Sequence, residues 1–215
     1  RRQRQMCIRD SRKIIRLAPE HISAYSLILE EGTPFYQKYN SGCYPLPDEE
    51  QERLMYRETE QILAQAGYER YEISNYAKKG YACRHNLVYW QGGDYLGLGL
   101  GSSSYMDGVR FHNTTDLNTY VNQGAYAEDR EELSVQAKME EFMFLGLRVM
   151  AGVSGTEFEK RFGKTMEDVY GDVLRKHEEE GLLQIERKED RKEAAAAEPA
   201  KGKTNIEKVM LTTNG

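Results

Sequence analysis

One segment of the sequence, residues 84–105, combines the residue types suited to holding a flat metal-containing ligand: RHNLVYWQGGDYLGLGLGSSSY. His85 is one of four histidines, and Tyr89 and Trp90, the only tryptophan, follow it at four and five residues. In a helix, His85 and Tyr89 would lie on one face. In a strand they would also share a face, with Trp90 on the other. In both cases an imidazole adjoins flat aromatic rings, which suits a planar ligand or a haem iron.

The same residues have a structural interpretation. A histidine that is hydrogen-bonded within a buried aromatic cluster needs no ligand at all. Metal ligation depends on a geometry that a single motif does not supply. The residues alone therefore leave both interpretations open.

A glycine-rich stretch, GDYLGLGLG, follows this motif. Alternating glycine and leucine predict a short strand over 95–100, with bare backbone on one face that another group approaches closely. No Lys-Ser/Thr pair follows, as a P-loop requires, and the spacing is not the G-x-G-x-x-G of a dinucleotide fold. As a phosphate-binding signal the stretch is weak.

HNLVYW followed by GDYLGLGLG resembles the radical-SAM oxygen-independent coproporphyrinogen III oxidase-like family. The H-N-x-x-Y-W string is similar to that of the family's haem chaperone branch. Matching segments occur in the family's order at 21–36, 71–86 and 139–154, so the resemblance covers most of residues 13–186. Many family members carry a histidine after the glycine-rich stretch, whereas residues 102–104 here are all serine.

This resemblance implies a role for each residue of the motif. His85 would ligate the haem iron or orient the porphyrin, and Asn86 would fix the imidazole by hydrogen bonding. Tyr89 and Trp90 would stack on the macrocycle. The backbone of Ile28 would contact S-adenosylmethionine in the intact protein.

The resemblance also implies cofactors and partners. An intact relative would carry a [4Fe–4S] cluster and S-adenosylmethionine, but Cys7, Cys43 and Cys83 do not form the C-x-x-x-C-x-x-C that holds such a cluster. Haem or a porphyrin would be the ligand. A haem-requiring membrane enzyme would be the acceptor, so any membrane contact would be peripheral. The alternative activity is coproporphyrinogen III oxidation in porphyrin biosynthesis. The H-N-x-x-Y-W string argues against it. Because the cluster cysteines are missing, this chain alone would be inactive as such an enzyme.

The first eleven residues, RRQRQMCIRDS, resemble the read-through translation of a sequencing adapter. We interpret residues 1–11 as a scar outside the fold; the alternative is a frayed basic helix start. Removing them lowers the formal net charge by three, from −5 to −8, because four arginines leave with one aspartate. An acidic chain is a poor general partner for nucleic acid.

Neither a membrane span nor a signal peptide is indicated, since no apolar run approaches ~18 residues. Cys43 and Cys83 lack C-x-x-C spacing, so we expect free thiols in a reducing, cytoplasmic setting.

Residues 12–112 are predicted to hold the last strands of a partial (β/α) radical-SAM barrel together with the motif segment. HISAYSLILEE, residues 21–31, is apolar on both faces, as a buried parallel strand is. Such a strand needs sheet neighbours, so the chain is interpreted as a fragment whose open barrel edge would aggregate. The remaining signals predict a loop at 33–47, a helix at 48–66, a strand at 68–74 and a loop at 75–84.

Residues 113–215 are predicted to form an α+β, winged-helix-like domain, so the fold class is α/β followed by α+β. Asp107-Gly108, just before it, predicts a two-residue hairpin. The predicted helices are 116–123, 132–151, 156–162 and 165–180, the strands are 182–186 and 208–212, and 187–207 is a disordered loop. A winged helix raises a third function, nucleic-acid binding. Residues 164–180 carry six carboxylates against three Lys and Arg, whereas a recognition helix should be basic.

Overall fold

The computed structural model describes residues 2–43, 46–124, 127–188 and 205–212, with side chains described from residue 7 onward. The chain divides into two compact units, Arg1–Cys83 and Arg84–Gly215. This division falls inside the predicted segment 12–112, and it places the H-N-x-x-Y-W motif in the second unit. Within the described part, no helix has the length and apolar content to cross a bilayer.

Among its described residues, the first unit contains three helices and one antiparallel sheet. Its elements are α1 Arg2–Arg16, β1 His21–Ser23, α2 Pro34–Asn40, α3 Glu49–Gln65, β2 Glu69–Glu72 and β3 Asn75–Ala77. β3 is the central strand and runs antiparallel to both β1 and β2. Leu63, Tyr68 and Tyr76 form the buried core between the sheet and the helices.

Helix α1 contains most of the segment interpreted as a scar. It packs along α3, and the Cys7 sulfur lies 3.2 Å from the Thr59 hydroxyl. Extending an existing helix adds one hydrogen bond for each residue fixed, so residues before 12–16 join the same helix readily. The interpretation of residues 1–11 as a scar stays a prediction.

The buried parallel strand predicted at 21–31 is wrong. Only His21–Ser23 form a strand, and they pair antiparallel with β3. Tyr25, Leu27 and Ile28 are exposed, Ile28 to 80 %. A strand buried on both faces needs hydrogen-bonded neighbours. In the described part of the chain, residues 25–30 have no paired strand, so their apolar pattern cannot produce the expected burial.

Capping signals were more reliable than loop signals in this unit. The helix start at Asp48 is confirmed, since its carboxylate accepts the Gln51 N–H at 2.8 Å. The predicted loop at 33–47 instead contains α2, because Thr33 caps that helix and Pro34 occupies its first turn, where proline is favoured. The predicted loop at 75–84 begins with strand β3.

The second unit carries two antiparallel sheets and five helices in the described residues. Its elements are α4 Arg84–Trp90, β4 Ser103–Met106, β5 Val109–Asn113, α5 Leu117–Gln123, β6 Ala127–Glu132, α6 Val135–Gly146, β7 Val153–Ser154, α7 Gly155–Phe162, α8 Met166–Glu179, β8 Leu183–Lys188 and β9 Asn205–Leu211. The strand orders are β4-β5-β6 and β7-β9-β8. The hairpin at Asp107-Gly108 is confirmed: both residues have positive φ, 53° and 78°, as a type I′ turn requires.

The winged-helix-like order is confirmed, with α6, α7, α8, β8 and β9 in sequence. Strands β6 and β7 were not predicted. Helix α6 is rich in methionine and packs into the hydrophobic core, where Met139 and Met143 contact the fully buried Phe158. The two ends of the predicted loop 187–207 belong to strands β8 and β9. Residues 189–204 of that prediction lie outside the described residues.

An ion pair ties α8 to β8. Arg187 donates from both terminal nitrogens to the Glu178 carboxylate, at 2.9 and 2.6 Å. These hydrogen bonds lower the pKa of Glu178 below its ordinary value of 4.5. A carboxyl with a lowered folded pKa contributes stability that is complete above its unfolded pKa and is lost as the pH falls through the folded pKa.

We therefore expect Glu178→Gln to reduce the free energy of unfolding at pH 7 by roughly 0.5–1 kcal/mol. The variant should also lose less stability than the parent as the pH falls below 4.5. Urea denaturation between pH 7 and pH 3 measures both effects. Glu179→Gln, on the same helix, is the matched control and should behave like the parent; an unchanged pH slope in Glu178→Gln would contradict the assignment.

Candidate functional site

The HNLVYW motif forms the short helix α4, so the helical alternative for His85 and Tyr89 is correct. The Tyr89 hydroxyl lies 3.0 Å from His85 Nε2. Their ring centroids are 4.7 Å apart and the ring planes meet at 82°, an edge-to-face contact rather than a stack. His85 is exposed to solvent. One of its ring nitrogens is therefore held by a phenol at the protein surface.

An aromatic row continues from this pair. We use this name for His85, Tyr89, Tyr95 and Tyr105. Tyr89 and Tyr95 meet edge to face with centroids 4.4 Å apart, and Tyr95 lies 6.3 Å from Tyr105. Tyr95 and Tyr105 also exchange two backbone hydrogen bonds, at 2.8 and 2.9 Å. The row therefore rests on a fixed backbone contact.

Beside the aromatic row lies a cleft of about 640 Å³, bounded by α4, the β4–β5 hairpin, α6 and α7. Six rings line it: Tyr89, Trp90, Tyr95, Tyr105, Phe142 and Phe162. Its size and apolar lining are those of a small-molecule site. Flat rings along the wall favour a flat ligand.

Charged groups in the cleft are unevenly paired. Arg110 donates to both oxygens of Glu141, at 2.9 and 3.1 Å. Arg161 donates to Glu157 at 2.8 Å. Lys138 lies against the hairpin turn, and its ammonium has no hydrogen-bond or ion-pair partner in the described part of the chain. Among the described residues, Lys138 is therefore the lining cation without an ion-pair partner, and Asp107 is the other carboxylate of the lining.

Burial raises the pKa of Tyr105 above its ordinary value of 10.0, and the charge of Glu141 adds to the rise. The phenol is therefore neutral at pH 7 and does not repel an anionic ligand.

Trp90 stands at the inner edge of the cleft. The Arg148 guanidinium carbon lies 4.3 Å from its ring centroid, a cation–π contact. The indole N–H is buried and has no hydrogen-bond acceptor among the described residues. A buried donor without a partner destabilises the fold.

The glycine-rich stretch is not the predicted strand. Within it, only Tyr95 makes a strand-like bridge. The carbonyls of Gly97 and Gly99 accept hydrogen bonds from the Asn113 side chain, at 3.2 and 2.9 Å, and not from the backbone of a neighbouring strand. The predicted close approach to bare backbone is confirmed at Gly97, where a Cβ would overlap the Ser103 carbonyl. The approaching group is the chain itself.

The structure separates the predicted site residues. Tyr89 and Trp90 line the cleft, whereas His85 stands at the exposed end of the aromatic row, outside the lining. Asn86 is half-buried on the same helix; the hydrogen bond that holds the His85 ring involves Tyr89. Ile28 belongs to the first unit.

Sequence reasoning missed most of the charged lining. Arg110, Lys138 and Arg161 come from three elements far apart in the chain, so no local spacing marks them. Tyr95 and Tyr105 lie within the segment that the sequence analysis singled out, but their pairing is a finding of the structure.

Three comparisons place the chain among known proteins. The HemN C-terminal domain family matches residues 133–189. The chain is 38 % identical to the heme chaperone HemW of Lactococcus lactis, over 79 % of the chain and 45 % of that protein. It is 41 % identical to HemW of Synechocystis, over 63 % of the chain and 34 % of that protein. The chain thus spans less than half the length of these relatives.

Among solved structures, coproporphyrinogen III oxidase (HemN) from Escherichia coli, a radical SAM enzyme, matches with a TM-score of 0.62. The match covers 81 % of this chain and 44 % of that one at 16 % identity, so it shows the fold alone. The fold is that of a part of a radical-SAM coproporphyrinogen III oxidase-like protein. By sequence, the chain groups with the HemW relatives of this family.

Gly97→Ala tests the backbone contact beneath the aromatic row. The added methyl would overlap a carbonyl that cannot rotate away, so we expect the free energy of unfolding to fall by about 1–3 kcal/mol. Leu98→Ala, at a position 84 % exposed, should change it by less than about 0.5 kcal/mol. Urea denaturation measures both. Equal effects would mean that the loop does not pack against Ser103.

Proposed function

We propose that the chain is the part of a radical-SAM haem chaperone that binds haem at the HNLVYW helix and holds it for transfer to a haem-requiring protein. The observation that carries the proposal is His85, exposed on α4 and continuous with the aromatic row. An accessible imidazole can bind iron through one ring nitrogen while neighbouring rings contact the macrocycle. The names of the HemW relatives, heme chaperones, support this reading.

Exposure of His85 suits binding that must be reversible. A buried haem would be enclosed by packing that has to open before release. A surface imidazole instead lets both the donor and the acceptor of haem reach the same face.

Tyr89 regulates the availability of this imidazole in the proposal. Its hydroxyl lies 3.0 Å from Nε2, in the direction of the nitrogen lone pair or proton. Iron binding at Nε2 requires that hydrogen bond to break. Tyr89 therefore both offers a ring to the porphyrin and competes with the iron for the histidine.

The remaining cofactors belong, in this proposal, to a longer protein. The names of one relative and of the solved structure include radical S-adenosyl methionine chemistry. Here Cys7, Cys43 and Cys83 are free thiols, and no group of three His, Cys, Asp or Glu side chains in the described residues could hold a metal ion. These residues do not fit a [4Fe–4S] cluster, and no step proposed here depends on one.

In this proposal, Ile28 and its exposed apolar neighbours face the rest of the barrel, and the Ile28 backbone lies near S-adenosylmethionine. The free thiols support a reducing compartment, the cytoplasm, as the proposed location. A haem-requiring membrane enzyme would accept the haem, with contact at the membrane surface only.

Two other functions are less well supported. Coproporphyrinogen III oxidation is named only for a structure at 16 % identity, whereas the higher identities are to chaperones. Nucleic-acid binding would need free cations on α8. Arg175 pairs with Glu167 and Asp172, and Lys176 pairs with Glu180. The phosphate backbone would therefore meet mainly carboxylates.

A hemin titration followed by the Soret band tests the proposal. We expect saturable 1:1 binding to the parent chain and at least tenfold weaker binding to His85→Ala, about 1.4 kcal/mol. His177→Ala is the matched control, because this histidine is bonded to Glu180 on α8, away from the motif. Equal affinities of the parent and His85→Ala would rule out His85 as the ligand.

Tyr89→Phe keeps the aromatic ring but removes the hydroxyl that competes for Nε2. A net hydrogen bond stabilises by about 0.5–1.5 kcal/mol, so hemin should bind about two- to tenfold more tightly. Tyr120→Phe, outside the motif on α5, should leave the affinity unchanged. Unaltered binding by Tyr89→Phe would show that iron does not use the nitrogen facing Tyr89.

A further inference from the structure

The end of the Lys138 side chain lies beside a backbone turn at the cleft. It projects from α6 and is half-buried, with its ammonium against the Asp107-Gly108 turn. A Cβ at Gly108 would overlap the end of the Lys138 side chain. Positive φ already favours glycine there. The same glycine therefore closes the hairpin and makes room for the ammonium.

The other cations of the cleft are already engaged. Arg110 is paired with Glu141, and Arg161 donates to Glu157 and to the Gln91 carbonyl. Lys138 has no such partner among the residues that the structure describes. A partly desolvated ammonium without an anion is unfavourable, and an anion from a ligand would offset that.

The lining selects the kind of anion. Tyr95 and Tyr105 offer ring faces and edges, with Tyr105 neutral at pH 7. Arg110 and Arg161 are paired with Glu141 and Glu157, so Lys138 is the lining cation without an ion-pair partner among the described residues. Together these groups suit a flat aromatic ring that carries carboxylates.

We propose that the cleft receives the carboxylate-bearing edge of the porphyrin, with Lys138 as the counter-ion of a propionate and the tyrosines of the aromatic row as the wall. This inference rests on the proposed haem function and adds a second anchor to it, separate from the bond to iron. Such an anchor would hold the macrocycle when the His85 bond is broken.

Hemin titration of the full chain tests the anchor with paired variants. Lys138→Ala should weaken binding about tenfold, because a charge-assisted contact is lost, while Lys138→Arg should stay within about twofold of the parent. Lys160→Ala, at a 78 % exposed side chain on α7, is the matched control and should bind like the parent. Quenching of Trp90 fluorescence, from the only tryptophan, gives a second readout of occupancy.

The dimethyl ester of hemin keeps the macrocycle but lacks the propionate charges, so it tests the contribution of those charges alone. It should bind the parent and Lys138→Ala with equal affinity, since the ester has no carboxylate for Lys138. Equal hemin affinities of the parent and Lys138→Ala, or the same loss with the ester, would overturn the inference. Hemin binding that depends on His85 but not on Lys138 would remove this anchor and keep the proposed function. No saturable hemin binding to the parent would remove both.

Discussion

The two backbone hydrogen bonds between Tyr95 and Tyr105 are the contact on which the candidate site depends. They join the segment after α4 to the β4–β5 hairpin and bring the tyrosine rings into one row. The loop between them can close only because Gly97 has no side chain where the Ser103 carbonyl approaches. Asn113 then satisfies the glycine carbonyls that the loop leaves outside a sheet.

Two different kinds of structure build the cleft. The hairpin and α4 supply the aromatic row, while α6 and α7, within the part that matches the HemN C-terminal domain, supply Lys138, Glu141 and Arg161. The winged-helix-like portion thus contributes its first two helices to a small-molecule cleft. On its third helix, α8, Arg175 and Lys176 are paired with carboxylates, which disfavours binding of nucleic acid by this helix.

In the proposed function, the geometry around His85 balances two demands of a carrier. The imidazole must be reachable by iron, and it must also be held well enough to keep its orientation. The Tyr89 hydroxyl meets the second demand without burying the ring. A single hydrogen bond at a surface is easily exchanged for another partner, which is compatible with repeated loading and release in the proposed function.

The sequence by itself determined the features set by a few neighbouring residues. The cap at Asp48 and the Asp107-Gly108 turn depend on energies within one turn of chain. For the HNLVYW motif the sequence left the helical and the extended form open. The family resemblance likewise rests on contiguous strings of residues, and the comparisons confirm it.

Tertiary structure decided the rest. Lys138 reaches the aromatic row only through packing between distant elements, which local spacing does not encode. Residues 25–30 have the pattern of a buried strand but no paired neighbour in the described chain, and an apolar pattern cannot substitute for hydrogen-bonded partners.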